Sequence, residues 1–128
     1  MTDSLLEAAR AVQARAYAPY SRYRVGAALE AEDGRVFVGC NVENASYGLT
    51  QCAERAAVTA MVAAGAVRVR RVVVVTDSDP PASPCGACRQ VLMEFGPDAV
   101  IESVGPSRRE RWTVRELLPA GFTQEQLA

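Results

Sequence analysis

Val72-Val73-Val74-Val75, set between Arg68-Val69-Arg70-Arg71 and Thr76, is the stretch on which the fold turns. Four consecutive β-branched residues without polar alternation predict a strand over residues 68–76 that is buried on both faces. Such a strand needs a helical layer on each side. Before it, the alanine-rich residues 52–64 predict a helix with Gly65 as its stop. After it, residues 77–84, rich in Pro, Ser and Asp, predict a loop, and residues 86–95 a short helix closed by Gly96-Pro97. Residues 99–104 predict another strand. Farther out, residues 24–31 and 35–41 predict a hairpin across Asp33-Gly34, followed by a polar loop over residues 42–50. Ser4-Leu5-Leu6-Glu7 reads as a capping box opening a first helix that runs to about Ala18, before Pro19. A last short strand, residues 111–114, and one helical turn, residues 114–118, follow the turn at Gly105-Pro106. The expected fold class is α/β: one domain over residues 1–128, three-layer α-β-α, with a central mixed sheet of about five strands.

The 128 residues suffice for a core without disulfide staples, and 49% hydrophobic with 23% charged residues is ordinary globular composition. A formal net charge of −1 offers no electrostatic basis for a nucleic-acid or membrane binder. The basic clusters Arg68-Val69-Arg70-Arg71 and Arg108-Arg109-Glu110-Arg111 lack interleaved aromatics on which bases could stack. Histidine is absent, which removes Ser-His-Asp and Cys-His catalysis and any imidazole metal ligand. All 14 basic residues are arginine; the missing lysine removes Schiff-base chemistry and a P-loop lysine, and otherwise reads as composition bias. Met1-Thr2-Asp3-Ser4-Leu5-Leu6-Glu7 lacks the basic and apolar regions of a signal peptide, and no apolar run reaches bilayer length. A cytoplasmic location is expected, where cysteines stay reduced and serve as ligands, catalysts or core residues.

Three of the four cysteines share a placement. Cys52 opens one predicted helix, and Cys85 and Cys88, in Pro84-Cys85-Gly86-Ala87-Cys88, open the next. Helix N-termini carry partial positive charge and free amides, which favour thiolates, the form that binds zinc. Three thiolates would leave a tetrahedral zinc one open position for water, the layout of a catalytic site. Glu54, in the first turn of the Cys52 helix, could exchange protons with that water without ligating the metal. Alternatives remain open on these residues alone. A C-x-x-C pair can be redox-active or a packing motif, and Cys40 could be a fourth ligand closing a structural site, or a core cysteine.

The combined pattern resembles the cytidine deaminases, specifically their short homotetrameric kind. Cys52-Ala53-Glu54-Arg55 and Pro84-Cys85-Gly86-Ala87-Cys88-Arg89-Gln90 resemble the family's zinc motifs. Tyr20 to Ala28 resembles its first strand, Gly39 to Gly48 its substrate segment, and Leu117 to Phe122 its tail, so the likeness runs in order along nearly the whole chain.

The resemblance implies one zinc ion per chain held by Cys52, Cys85 and Cys88. It implies attack on C4 of cytosine by a hydroxide that the zinc supplies. Glu54 takes the water's proton, passes one to N3 and helps protonate the departing ammonia. The products are uridine and 2′-deoxyuridine, from cytidine and 2′-deoxycytidine, as in pyrimidine salvage. Asn41 and Glu43, two apart on a strand end and so on one face, correspond to the pair that holds the ribose 3′-hydroxyl. A carboxylate there would repel a phosphate, which favours free nucleosides over polynucleotides. Ala53 corresponds to the residue whose backbone amide meets the base O2. Tyr23 departs from the family's usual phenylalanine beside the base, and its added hydroxyl needs a partner. Tyr47 and Phe122 resemble residues that reach a neighbouring subunit's site, and Gly121 stands where alanine is commoner. Zinc with three thiolates sums to −1, and Arg55, beside Glu54, is expected to draw off that charge through a hydrogen bond to sulfur.

Overall fold

The computed structural model describes residues 3–127. Met1, Thr2 and Ala128 lie outside the described residues, so the reading of the N-terminus as free of a signal peptide falls partly outside them. The order is α1 (Ser4–Gln13), β1 (Gly26–Ala31), β2 (Val36–Cys40), α2 (Ala53–Ala63), β3 (Val69–Val75), α3 (Gly86–Phe95), β4 (Val100–Val104), β5 (Arg109–Thr113) and α4 (Val114–Leu117). Short 3-10 turns occupy Tyr47–Leu49 and Gln124–Leu127. The five strands form one sheet in the order β2-β1-β3-β4-β5. Only β3 and β4 are parallel; the other neighbours pair antiparallel, and the sheet is mixed as the sequence predicts.

The valine run occupies the central strand, and its alternation divides one strand between two cores. Val72 and Val74 pack with Ala27, Leu29 and Ile101 of the neighbouring strands against Ala57, Val58 and Met61 of α2 and Leu92 of α3. Val73 and Val75 face the opposite way, with Ala28, Val104 and the α1 residues Leu5 and Ala9. Each buried valine contributes about 1.5–3 kcal/mol of transfer free energy, so neither helical layer can be removed cheaply. Gly39 on β2 sets how closely α2 approaches. A Cβ there would lie 2.5 Å from both the Ala53 carbonyl oxygen and the Ala57 nitrogen. That contact seats the first turn of α2, with Cys52 to Arg55, directly on the sheet edge.

Three local expectations are corrected. The residue capping α1 is Asp3, not Ser4: its Oδ1 accepts from the Leu5 and Leu6 amides at 3.2 and 3.3 Å. A carboxylate suits the positive helix end, and Arg71 holds this one at 2.7 Å. The chain's capping box lies instead at α4, between Thr113 and Glu116. Helix α1 ends at Gln13 rather than near Ala18, because Tyr17 pairs with Val42: the Tyr17 amide donates to the Asn41 carbonyl and the Glu43 amide to the Tyr17 carbonyl. Tertiary pairing here overrides helix propensity. β5 begins at Arg109, two residues before the expected start.

Candidate active site

Both helices that were expected to present cysteines do so from their N-cap positions, Cys52 for α2 and Cys85 for α3. Cys88, one turn into α3, is fully buried. The three sulfurs lie within 4.8 Å of one another, and Cys52 Sγ and Cys85 Sγ are 3.9 Å apart. A tetrahedral zinc with bonds of about 2.3 Å places its sulfur ligands about 3.8 Å apart, so this donor set fits that ion. Among the described residues this is the one such group of three or more potential ligands. Cys40 is not part of it. Gly39 faces α2, so alternation along β2 turns Cys40 to the opposite side of the sheet, which removes it as a fourth ligand.

The electrostatics favour thiolate at this point. The neighbouring Cys88 thiol and Arg55 Nη2, which donates to the Cys52 sulfur at 3.3 Å, bring Cys52 down to about 5. The Cys52 sulfur and burial push the Cys88 thiol upward. Glu54 follows Ala53 on the first turn of α2 and is only 6% exposed. Burial raises its pKa, the Cys52 charge adds to the rise, and its own backbone amide and Arg55 oppose it.

Beside these groups lies a cavity of about 300 Å³, at the lower end of the range for small-molecule sites. Cys52, Ala53 and Glu54 form one wall, and Tyr23, Asn41, Glu43 and Thr76 are among the residues that line the remainder. Asn41 and Glu43 thus face one space, as their spacing predicts. Ala53 is the first residue of α2, where a backbone N–H has no intrahelical partner and can serve a ligand oxygen. Tyr47 lies one step outward, in an adjoining depression that shares Ser21, Glu43 and Thr50, with its ring edge-on to Tyr20. Phe122 lines neither space; its ring is exposed and its carbonyl accepts from Gln90 Nε2 at 2.8 Å. A larger groove of about 730 Å³ lies at the other end of the sheet, but Glu32, Arg68, Arg70 and Asp98 line it without any cysteine.

The family model for the cytidine and deoxycytidylate deaminase zinc-binding region matches residues 1–103. The chain belongs to this family. It is 43% identical over 128 residues to the cytidine deaminase of Sporosarcina psychrophila, covering 98% of this chain and 94% of that one. It is 49% identical over 121 residues to the cytidine deaminase of Halalkalibacterium halodurans, covering 91% and 92%. The crystal structure of the Burkholderia pseudomallei cytidine deaminase superposes with a TM-score of 0.90 at 46% identity, covering 95% of this chain and 100% of that one. The zinc that the family's domain binds is the ion that the three sulfurs fit.

The bonds that support the cavity wall come from Arg89, which carried no role in the sequence, and from Asn41 and Glu43. Arg89 donates through Nε to the Pro84 carbonyl at 2.7 Å, through Nη2 to Ser83 Oγ at 2.9 Å and through Nη1 to the Leu117 carbonyl at 2.9 Å. It therefore fixes the two residues that lead into Cys85. Asn41 also ties the cavity wall together, since its Oδ1 accepts from the Val25 amide at 2.9 Å while Nδ2 donates to the Tyr23 carbonyl at 2.8 Å. Glu43 accepts from the Tyr20 and Ser21 amides and from the Ser21 hydroxyl, whose bond holds its carboxyl below the usual range. The only sequence signal for the Asn41 and Glu43 ties was polar residues at the end of an apolar strand, and the Arg89 clamp, set within α3, had none.

Proposed function

We propose that this chain, acting as one catalytic domain, converts cytidine and 2′-deoxycytidine with water to uridine or 2′-deoxyuridine and ammonia, through Glu54 and the Cys52, Cys85 and Cys88 site. The observation that carries the site assignment is the buried Glu54 carboxylate beside three converging sulfurs on the wall of a nucleoside-sized cavity. Bound zinc supplies a Lewis acid that makes water nucleophilic near neutral pH. Glu54 takes a proton from the attacking water and delivers it to N3 of the base, then takes the second proton from the hydroxyl now on C4 and passes it to the amine as it leaves. One group serves all these transfers because its buried side chain is confined between the sulfurs and the base. The free Ala53 amide binds O2 of the base. Asn41 and Glu43 bind the 3′-hydroxyl, and the Glu43 charge disfavours a 3′-phosphate, so the substrate is a free nucleoside rather than a polynucleotide.

Arg55 draws charge from the thiolates through its bond to Cys52 Sγ. Replacing it with glutamine lowers kcat at unchanged zinc content; full turnover in the zinc-loaded variant would exclude the role. Four copies assemble, and Tyr47 and Phe122, 75% and 56% exposed in the single chain, close neighbouring sites. No helix among the described residues is long and apolar enough to cross a membrane. Three thiol ligands suit a reducing compartment, and the cytoplasm is the proposed location. The zinc-loaded protein is mixed with each nucleoside and followed by absorbance and ammonia release, with zinc content and native mass measured alongside. Uridine formed at one zinc per chain and a tetrameric mass are expected; no uridine from fully loaded protein overturns the reading.

A further inference from the structure

The nucleoside wall of the cavity combines two segments far apart in sequence, residues 20–25 and residues 76–83. Inside the wall, one side chain joins them directly. The Tyr23 hydroxyl lies 2.8 Å from Ser78 Oγ, which lies 3.2 Å from Thr76 Oγ1. Thr76 is buried at the end of β3, and its amide donates to the Val104 carbonyl, so this run of hydroxyls is anchored in the sheet. At the other end, the Tyr23 carbonyl accepts from Asn41 Nδ2 and the Tyr23 amide donates to Ser21 Oγ at 3.0 Å. The Ser21 hydroxyl in turn donates to Glu43. A continuous path, Glu43-Ser21-Tyr23-Ser78-Thr76, therefore follows the cavity wall from the ribose carboxylate to the central strand.

The loop over residues 77–84 is tied on its other sides to different elements. Asp79 accepts from the Ser107 amide and hydroxyl, the Ala82 carbonyl accepts from Ser103, and Arg89 holds Ser83 and Pro84. Gln13 bridges the Arg24 carbonyl and Asp77 at the exposed rim. Tyr23 alone makes its tie from a ring that lines the cavity. A phenylalanine would keep the ring and sever the path.

We propose that Tyr23 is a positioning residue that sets nucleoside affinity by locking the 77–84 loop, through Ser78, against the segment that carries the ribose contacts. The inference rests on the cytidine reading above. A loop that must be ordered on binding takes its cost from the affinity. The wall is the same for bound substrate and transition state, so the loss falls on KM and not on kcat. Tyr23→Phe and Ser78→Ala are each expected to raise KM for cytidine about threefold to tenfold, the range of one neutral hydrogen bond. Both keep wild-type kcat and one zinc per chain, and the double variant is no worse than the weaker-binding single variant. KM unchanged in both, effects that multiply in the double variant, or a fall in kcat alone would each overturn the proposal. Hydrogen exchange separates its failure from that of the cytidine reading. Should the zinc-loaded wild type leave cytidine untouched, that reading falls. The lock is then judged from amide exchange over residues 77–83, where acceleration in Tyr23→Phe supports it and unchanged exchange overturns it.

Discussion

The metal half of the cavity is built from backbone, and the nucleoside half from side chains. Cys52 and Cys85 sit at helix N-caps, and Cys88 follows Cys85 by one helical turn, so local chain geometry brings the sulfurs together once two helices dock. Opposite them, Tyr23, Asn41, Glu43 and Ser78 lie on irregular chain and are held by hydrogen bonds, one of them spanning 55 residues. Geometry set by secondary structure is rigid and suits chemistry that tolerates little displacement. Geometry set by side-chain bonds can be loosened one bond at a time, which suits the tuning of affinity. The two halves should therefore fail differently.

The largest effect belongs to the metal half. Glu54→Gln keeps the shape and removes proton exchange, so kcat for cytidine should fall by about 10²- to 10⁴-fold, the usual yield of general acid–base catalysis. Zinc content should stay at that of the wild type, because Glu54 is not among the three converging donor residues. A fall seen mainly in KM would break the division between the halves. Next comes the joint between them. Gly39→Ala places a methyl group 2.5 Å from the Ala53 oxygen and the Ala57 nitrogen, both backbone atoms that cannot rotate aside. Helix α2 must shift, and a shift near 1 Å can cost about 10²-fold in rate. Both kcat and KM should suffer, with about 1–3 kcal/mol of stability lost to overpacking. An unchanged KM would mean that α2 moves without disturbing the Asn41 and Glu43 side.

The same division explains what could be read from sequence. The valine run, the hairpin at Asp33-Gly34 and the helices at residues 53–63 and 86–95 follow from periodicity and punctuation, and the structure has each of them. The zinc cluster was legible for the same reason, since it needs only helix starts and a C-x-x-C spacing. The end of α1 was not, because Tyr17 leaves the helix to pair with Val42, and pairing partners 25 residues apart leave no local trace. Ser78 as the partner of the Tyr23 hydroxyl, and Arg89 as the clamp on Ser83 and Pro84, are likewise products of tertiary placement. The need for a partner at Tyr23 was visible; its identity was not.

A smaller effect tests the nucleoside half. Asn41→Ala removes both amide bonds, to the Val25 amide and to the Tyr23 carbonyl, at a buried position. Leaving those backbone groups unpaired should cost about 1–3 kcal/mol of stability. KM for cytidine should rise severalfold more than kcat falls, measured by steady-state kinetics beside thermal unfolding. A pure stability loss with wild-type KM would reduce Asn41 to a scaffold residue.

The smallest effect serves as the control, far from both halves. At the opposite end of the sheet, Arg71 joins Asp3 at 2.7 Å and Glu102 at 2.9 Å, and Arg109 joins Glu102 at 3.0 Å. The Arg71 hydrogen bond holds the Asp3 carboxyl below its ordinary 3.8. A depressed carboxylate stabilises the fold fully above its unfolded pKa, and that contribution is lost as pH falls through the folded value. Asp3→Asn keeps an oxygen to cap α1 but loses the charge pair, so it should cost at most about 1 kcal/mol near neutral pH. Thermal unfolding from pH 7 downward should show the gap to wild type closing once pH drops below 3.8. Neither kcat nor KM should change at neutral pH. If either does, stability alone reaches the cavity, and the kinetic signatures assigned to Glu54 and Tyr23 lose their separate meaning.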